Sequence, residues 1–396
     1  MHFSRRLGES LEENALARAL AARRAAGLEL LDLTESNPTA AGFLFEEERI
    51  LRALAQPGAL AYQPDPRGLA TARGAVARYY AESRGARVDA EEILLTASTS
   101  EAYALLFKLL CDPGDAVLVP APSYPLFGVL TALESVRTVG YPLRWDGEWH
   151  VDLPALEAQL EQAGRVRALL VVAPGNPTGA FLRREEHARL AALCARRQIA
   201  LIVDEVFADY AWSPSPGRLA TAAIESPALT FTLSGLSKVC ALPQLKLGWC
   251  AITGPAPLVR EASSRLELIA DAYLSLGTPV QLALPELLET RHSIQRQIRE
   301  RCARNRAALL ALRPAGAAWD LLASEGGWSA ILRVPDAPGE EALALLLLAR
   351  GVLVQPGYFY DFARGSYLVV SLLPGEETFL RAARLLADVL SANDLH

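Results

Sequence analysis

Short runs of apolar, often β-branched residues alternate along this chain with longer segments whose apolar positions recur at helical spacing. The runs predict strands at Ile93–Thr96, Ala116–Pro120, Val136–Tyr141, Ala168–Ala173, Ala200–Asp204, Thr230–Leu233 and Leu247–Thr253. Amphipathic helices are expected between most of them, at Ser100–Cys111, Tyr124–Leu133, Asp152–Ala163 and Arg183–Arg197. Leu169–Ala173 and Leu201–Val203 are apolar without alternation, the mark of strands covered on both faces. The pattern therefore predicts an α/β protein with a mostly parallel seven-stranded sheet between helices. After Gly254 the rhythm changes. A long helical stretch, broken near Gly277–Pro279, runs to about Arg313. Strands Ser329–Val334, Val352–Gln355 and Leu368–Leu372 and helices Glu340–Arg350 and Glu376–Ala392 follow. This reads as a smaller α+β domain completed by an N-terminal helix, Leu11–Ala26. The expected organisation is an N-terminal segment, 1–40, joining the small domain; a large domain, 41–285; and a small C-terminal domain, 286–396.

Composition supports this picture. With 396 residues, at about 150 per domain, two to three domains are expected. Apolar residues make up 51% and charged residues 21%, enough for a sizeable core. The net charge is −6, and no basic run is long enough to track a phosphate backbone, which argues against nucleic acid as a partner. Five cysteines (Cys111, Cys194, Cys240, Cys250, Cys302) show no CxxC pair, so neither a zinc site nor a disulfide framework is expected, and a reducing cytoplasm suits them. Met1–Glu13 carries no apolar signal core, and the apolar run Ala342–Ala349 is too short to span a bilayer, so no membrane role is expected.

Four features fall at predicted strand ends, where an open α/β sheet places its ligand site. Pro174-Gly175-Asn176-Pro177-Thr178-Gly179 is a rigid turn whose Asn amide can donate to a ligand oxygen; it also reads as a plain turn. Asp204-Glu205 ends an apolar strand and serves either as a ligand group or as a helix cap. Ser234-Gly235-Leu236-Ser237-Lys238 places a lysine where a buried strand enters a Ser/Gly loop, either a desolvated amine able to form a Schiff base or an ordinary solvated lysine. Ser98-Thr99-Ser100 precedes a helix and suits either a phosphate or a simple N-cap.

Taken in order, PGNPTG, then Asp204-Glu205-Val206-Phe207, then SGLSK followed by Lys246-Leu247-Gly248, the chain resembles the aspartate aminotransferase family, the class I/II fold-type-I enzymes that use pyridoxal phosphate. The resemblance runs from Leu33-Thr34-Glu35-Ser36-Asn37-Pro38 to Ser371. It implies amino-group transfer between an amino acid or amine and a 2-oxo acid, with the cofactor held on Lys238 as an aldimine. It further implies that Lys238 shuttles the Cα proton, that Asp204 pairs with the ring nitrogen, that Asn176 donates to the ring O3′, and that Tyr124 stacks on the ring. Ser98, Thr99, Ser100, Ser234 and Lys246 match the phosphate cup. Asn176–Pro177 matches a bond that is often cis in the family. Tyr62 matches a tyrosine that reaches a neighbouring subunit's phosphate, which implies a homodimer with shared active sites.

The chain departs from the family at four positions. Phe207 stands where a tyrosine is usual, with Tyr210 nearby as a substitute phenol. Lys246 replaces an arginine, keeping charge but not the bidentate fork. Ser36 replaces a glycine. Val369, in Tyr367-Leu368-Val369-Val370-Ser371, falls at the arginine that binds the substrate α-carboxylate. A replacement cation is therefore expected, Arg364 first; otherwise the substrate is oriented differently. Arg265 is a candidate for a separate role, binding an acidic substrate. The alternatives left open are a lyase, cyclase or decarboxylase on the same scaffold and a ligand-sensing regulator. Trp328, Tyr358, Phe359 and Tyr360 read either as an apolar pocket or as aromatic core.

Overall fold

The computed structural model describes residues 2–7 and 13–391. Leu11, Glu12 and Ala392, the expected ends of two helices, lie outside them. A short 3-10 turn, Arg5–Leu7, precedes the helix Ala15–Ala25, whose first turn is capped by Asn14, and a two-residue strand β1 (Leu31–Asp32). Eight strands then follow: β2 (Ile93–Thr96), β3 (Ala116–Ala121), β4 (Arg137–Trp145), β5 (Trp149–Val151), β6 (Val166–Val172), β7 (Ala200–Asp204), β8 (Thr230–Gly235) and β9 (Gly248–Thr253). They form one sheet in the order β2-β9-β8-β7-β6-β3-β4-β5. Only β9 and β5 run antiparallel to their neighbours.

The sheet has one strand more than the expected seven. Trp145-Asp146-Gly147-Glu148-Trp149 turns the chain back on itself, with Gly147 at φ 110° and the two tryptophan rings 5.3 Å apart. β5 is thus an edge strand pinned by a cross-strand aromatic pair, and the Asp-Gly dipeptide was its signal. Inside the central strands a period of two is hidden within the apolar runs. Leu170, Ile202 and Phe231 pack on one face with the helices Thr99–Leu110 and Ala256–Asp271. Leu169, Val171, Leu201 and Val203 pack on the other with Arg184–Arg197. Helices therefore cover both faces, as a parallel sheet requires.

Beyond β9 lie the helices Ala256–Asp271, Thr278–Glu289 and Arg291–Ala311, the break falling at Gly277, which caps Thr278–Glu289 with Pro279 in its first turn. Strands β10 (Asp320–Leu321), β11 (Ser329–Val334), β12 (Val352–Leu353), β13 (Gln355–Pro356) and β14 (Ser366–Ser371) follow. They form a four-stranded antiparallel sheet, β10-β11-β14-β13, while β12 pairs in parallel with β1. Leu16, Leu31 and Leu33 are buried in the same apolar cluster as Leu332, Leu347, Leu368 and Phe379, so the N-terminal segment packs with the C-terminal part. Side chains change cluster between Leu288, which faces the large sheet's core, and Ile294, which faces the small one. Among the described residues no helix is long and apolar enough to cross a membrane.

This topology gathers the site. β2, β3, β6, β7 and β8 all end on one edge, and antiparallel β9 begins there. The loops carrying Ser98, Tyr124, Asn176, Asp204, Lys238 and Lys246 therefore meet, and the segment holding β11, β13 and β14 closes over them.

Candidate active site

A cavity of roughly 360 Å³ lies at that edge. Its walls include Ser98, Thr99, Ser100, Tyr103, Tyr124, Asn176, Asp204, Phe207, Lys238 and Lys246 from the large sheet's loops, Ser36 from the N-terminal segment, and Trp328, Gln355, Tyr360 and Ser371 from the C-terminal part.

Asp204 is buried at the end of β7. Its Oδ2 accepts from the Tyr103 hydroxyl at 2.7 Å and its Oδ1 from the Val206 N–H at 3.0 Å. Burial raises the carboxyl above its ordinary value, while those two donors and the Lys238 charge pull the other way. A carboxylate held this way gains from a cationic partner in the cavity. Tyr103 escaped the sequence reading; it lies one helical turn beyond Thr99, on the same face of Thr99–Leu110, and that spacing was its only signal.

Lys238 sits in the short helix that follows β8. Its Nζ lies 4.6 Å from the Trp328 ring centroid and 5.3 Å from that of Phe207. The side chain keeps partial access to the cavity, yet burial lowers the amine to about 8, with Asp204 opposing. A sizeable neutral fraction near neutral pH makes it a nucleophile and a base. The Tyr210 hydroxyl donates to the Lys238 carbonyl at 2.6 Å, and that side chain is fully buried. Tyr210 therefore holds the lysine's backbone and does not supply the phenol absent at Phe207.

The helix Thr99–Leu110 aims its first turn at the cavity. Ser98 caps it by accepting from the Glu101 N–H at 3.2 Å, and Glu101 reaches back to the Ala97 N–H at 2.6 Å. Other first-turn N–H groups have no partner inside the helix and suit an anion. The strand floor comes unusually close here. A Cβ on Gly248 would lie 3.0 Å from the Ser98 carbonyl carbon and 3.1 Å from the Thr99 nitrogen; one on Gly235 would lie 2.9 Å from the Gly248 Cα. Only glycine leaves the cradle open.

Several expectations shift. Ser234 does not line the cavity: β8 runs two residues past Leu233, so its hydroxyl is turned into the core, where it is buried without a partner, and Gly235 and Ser237 take the wall. Arg364 is exposed on the turn between Asp361 (φ 59°) and Gly365 (φ 78°) and is not among the residues that line the cavity. Arg265 pairs with Glu261 at 2.6 Å on the surface of Ala256–Asp271. Neither is among the residues that line the cavity, and Val369 is buried in an apolar cluster with Ile331 and Tyr360. Of the four aromatics, Trp328 and Tyr360 line the cavity, while Tyr358 is exposed and Phe359 packs beside the small core. Gln355 lines the cavity and carried no sequence signal. Tyr62 lies outside it and is 82% exposed. Asn176 is half-buried, and the Asn176–Pro177 bond is cis.

The family description "aminotransferase class I and II" matches residues 29–377. The chain belongs to the class I and II aminotransferases. It is 30% identical to an alanine aminotransferase of Mycobacterium tuberculosis over 384 residues, covering 92% of this chain and 86% of that one. It is also 30% identical to an aspartate/prephenate aminotransferase of Thermus thermophilus over 398 residues, covering 94% of each. Its fold superposes on an alanine aminotransferase from Pyrococcus furiosus with a TM-score of 0.86 at 21% identity, over 98% of this chain and 99% of that one. The protein is thus a pyridoxal-phosphate-dependent enzyme that moves amino groups between amino and keto acids, with the fold-type-I architecture. A lyase, cyclase or decarboxylase finds no support among these aminotransferase relatives. The cavity suits the cofactor: a phosphate-sized cradle of backbone at Gly248, a carboxylate with both oxygens pinned, and an amine lowered to about 8 share one space.

Beside the cavity of this aminotransferase, Glu205 points the other way. It accepts from the Ala222 N–H and the Thr221 hydroxyl, and burial raises it from 4.5 to about 7. Between those values the unfolded chain has lost the proton that the folded chain keeps, so this group's contribution to stability falls as pH rises through about 4.5–7. Glu205→Gln is expected to remove roughly 2–3 kcal/mol of that slope. Urea midpoints at pH 5 and pH 8 check it; an unchanged pH dependence in the variant would remove Glu205 as its source.

Proposed function

We propose that Lys238 carries the cofactor and is the base of the amino transfer. The observation behind this reading is an accessible amine, lowered by burial to about 8, that shares its cavity with the pinned Asp204 carboxylate. Bound pyridoxal phosphate supplies a sink for the electron pair left when the substrate Cα loses its proton. The chain's own groups do the rest. Lys238 Nζ takes the proton from Cα and returns one to the other side of the transferred nitrogen. Asp204 holds a proton on the ring nitrogen, and Tyr103 keeps Asp204 in place. Asn176 donates to the ring hydroxyl, and Tyr124 covers the ring face. Ser98, Thr99, Ser100 and Lys246 hold the phosphate, with Gly235 and Gly248 giving it room. Phe207 and Trp328 keep water from Nζ.

Tyr62, exposed in the single chain, is assigned to a second copy's phosphate site, so the working form is a homodimer with shared active sites. The five cysteines, all free, support a reducing cytoplasm as its location.

Borohydride reduction of the purified holoenzyme, followed by peptide mass mapping, is expected to place the fixed cofactor on Lys238. Attachment to cofactor-free protein is expected to speed up with pH and level off above about 8, as the amine loses its proton. An adduct on another lysine, or on none, would overturn the assignment.

A further inference from the structure

Between β10 and β11 the chain crosses onto the large sheet. Ser324-Glu325-Gly326-Gly327 forms a strap there, wedged between two of that sheet's loops: the one after β6 that carries Asn176 and the one after β7 that carries Phe207. The Glu325 N–H donates to the Gly179 carbonyl at 3.2 Å. The Trp212 N–H donates to the Glu325 carbonyl at 2.9 Å, and the Gly327 N–H to the Tyr210 carbonyl at 3.0 Å. The approach is close on both sides. A Cβ on Gly179 would lie 2.4 Å from the Gly326 oxygen, and one on Gly326 would lie 2.4 Å from the Tyr210 oxygen.

The Glu325 side chain adds three links at the same place. Its Oε1 pairs with Arg183 and Arg218, each at 3.1 Å, and its Oε2 accepts from the Phe181 N–H at 3.2 Å. Both arginines are themselves held. Arg183 donates to the Ser215 hydroxyl at 2.6 Å; Arg218 donates to the Ser213 carbonyl at 2.7 Å and lies 4.2 Å from the Phe181 ring centroid. Every one of these partners belongs to the large sheet's loops, whereas the strap leads into β11 of the small sheet. The residue that joins strap to strand is Trp328. Its ring centroid lies 4.9 Å from that of Tyr210, 5.2 Å from that of Phe207 and 4.6 Å from Lys238 Nζ.

We propose that Glu325 is a positioning residue for the amino transfer: its carboxylate latches the strap to the large sheet's loops and so keeps the Trp328 ring against Lys238 Nζ, excluding water from the amine. This deepens the reading of Lys238 as the cofactor-bearing base and rests on it. Glu325 is not among the residues that line the cavity, so it acts through Trp328 and not on the substrate. Of the charged groups around Nζ, Asp204 favours the ammonium, and Lys246 shares the cavity; burial outweighs Asp204.

Loss of the Glu325 carboxylate has two consequences of opposite sign. Removing a negative charge disfavours the ammonium and lowers the amine, whereas freeing the ring lets water reach Nζ and raises it. An upward move therefore reports the ring and not the charge. Competitive acetylation of the cofactor-free full chain across a pH series, with peptide mass mapping of Lys238, reads the amine directly. The wild-type amine is expected to be half-ionised near about 8. Glu325→Ala is expected to move that point up by at least about half a pH unit, a roughly threefold change in the free-amine fraction. Trp328→Ala should move it at least as far, and the double variant no further than Trp328→Ala alone, because both substitutions open one path. Glu325→Gln keeps the side chain's shape but gives up the charge on which the two arginines converge, so it should move the point up by less. If Glu325→Ala does not fold, as judged by circular dichroism, Glu325→Gln and its double variant with Trp328→Ala decide. An amine unmoved or lowered in the Glu325 variants, or shifts that add in the double variant, overturns the proposal. Borohydride mapping of the holoenzyme separates the causes: cofactor on Lys238 with an unmoved amine refutes the latch alone, and cofactor on another lysine refutes the site reading and the latch's part in the reaction with it.

Discussion

Lys238→Ala is expected to lower turnover by on the order of 10³-fold or more, with the fold intact. The proposed role has two tasks, attachment and proton transfer, and an alanine can do neither. The backbone at this position is held by the Tyr210 hydroxyl on the Lys238 carbonyl, which the substitution does not touch. The amine itself is disfavoured by burial, as its lowering to about 8 shows, so its loss should leave the thermal midpoint unchanged or raise it. Lys238→Arg separates charge from basicity. A guanidinium keeps the positive charge near Asp204 but does not deprotonate in a protein, so this variant should be about as slow as Lys238→Ala. Single-turnover rates with excess amino donor, alongside thermal unfolding of both variants, make the comparison. An arginine variant within about tenfold of wild type would mean that a fixed charge, not a titrating amine, is what the site needs.

The residues legible in the sequence are those whose chemistry and position share a short stretch of chain. Pro174–Gly179, Asp204 and Lys238 each follow an apolar strand directly, so locating the strand located the side chain. What stayed hidden depends on register or on distant segments. Ser234 was read as a loop residue because the apolar run stops at Leu233; the ladder continues for two more residues, since Ser234 and Gly235 still pair with Trp249 and Gly248. The one-residue alternation then buried Ser234 and gave the wall to Gly235. Arg364 was the nearest cation in sequence to Val369, but the turn beginning at Asp361 carries it into solvent. Trp328, Gln355 and Tyr360 come from the C-terminal part, and nothing local distinguishes them from core residues; only its packing across the strand ends makes them walls. The eighth strand was missed because three residues are too few for a periodic signal.

Asp204→Ala is expected to slow the chemical step by about 10²- to 10³-fold, the range seen when a positioned charge that stabilises a transition state is removed, while cofactor remains attached at Lys238. Two consequences of the geometry make this distinguishable from a general loss of structure. The Tyr103 hydroxyl loses the acceptor it holds at 2.7 Å and is left buried without a partner, so a modest loss of stability accompanies the kinetic one. The Lys238 amine loses the charge that opposes its desolvation, so the pH at which attachment levels off should move down. Asp204→Asn keeps the side chain's shape and an acceptor for the Val206 N–H but removes the charge. If charge is the operative property, Asp204→Asn should match the alanine variant in rate and in the downward shift, yet unfold closer to wild type. Tyr103→Phe leaves the carboxylate in place with one donor fewer, so it should cost less, about tenfold. Near-normal turnover in Asp204→Asn would assign the residue to holding Tyr103 and the Val206 backbone, and would remove its charge from the mechanism.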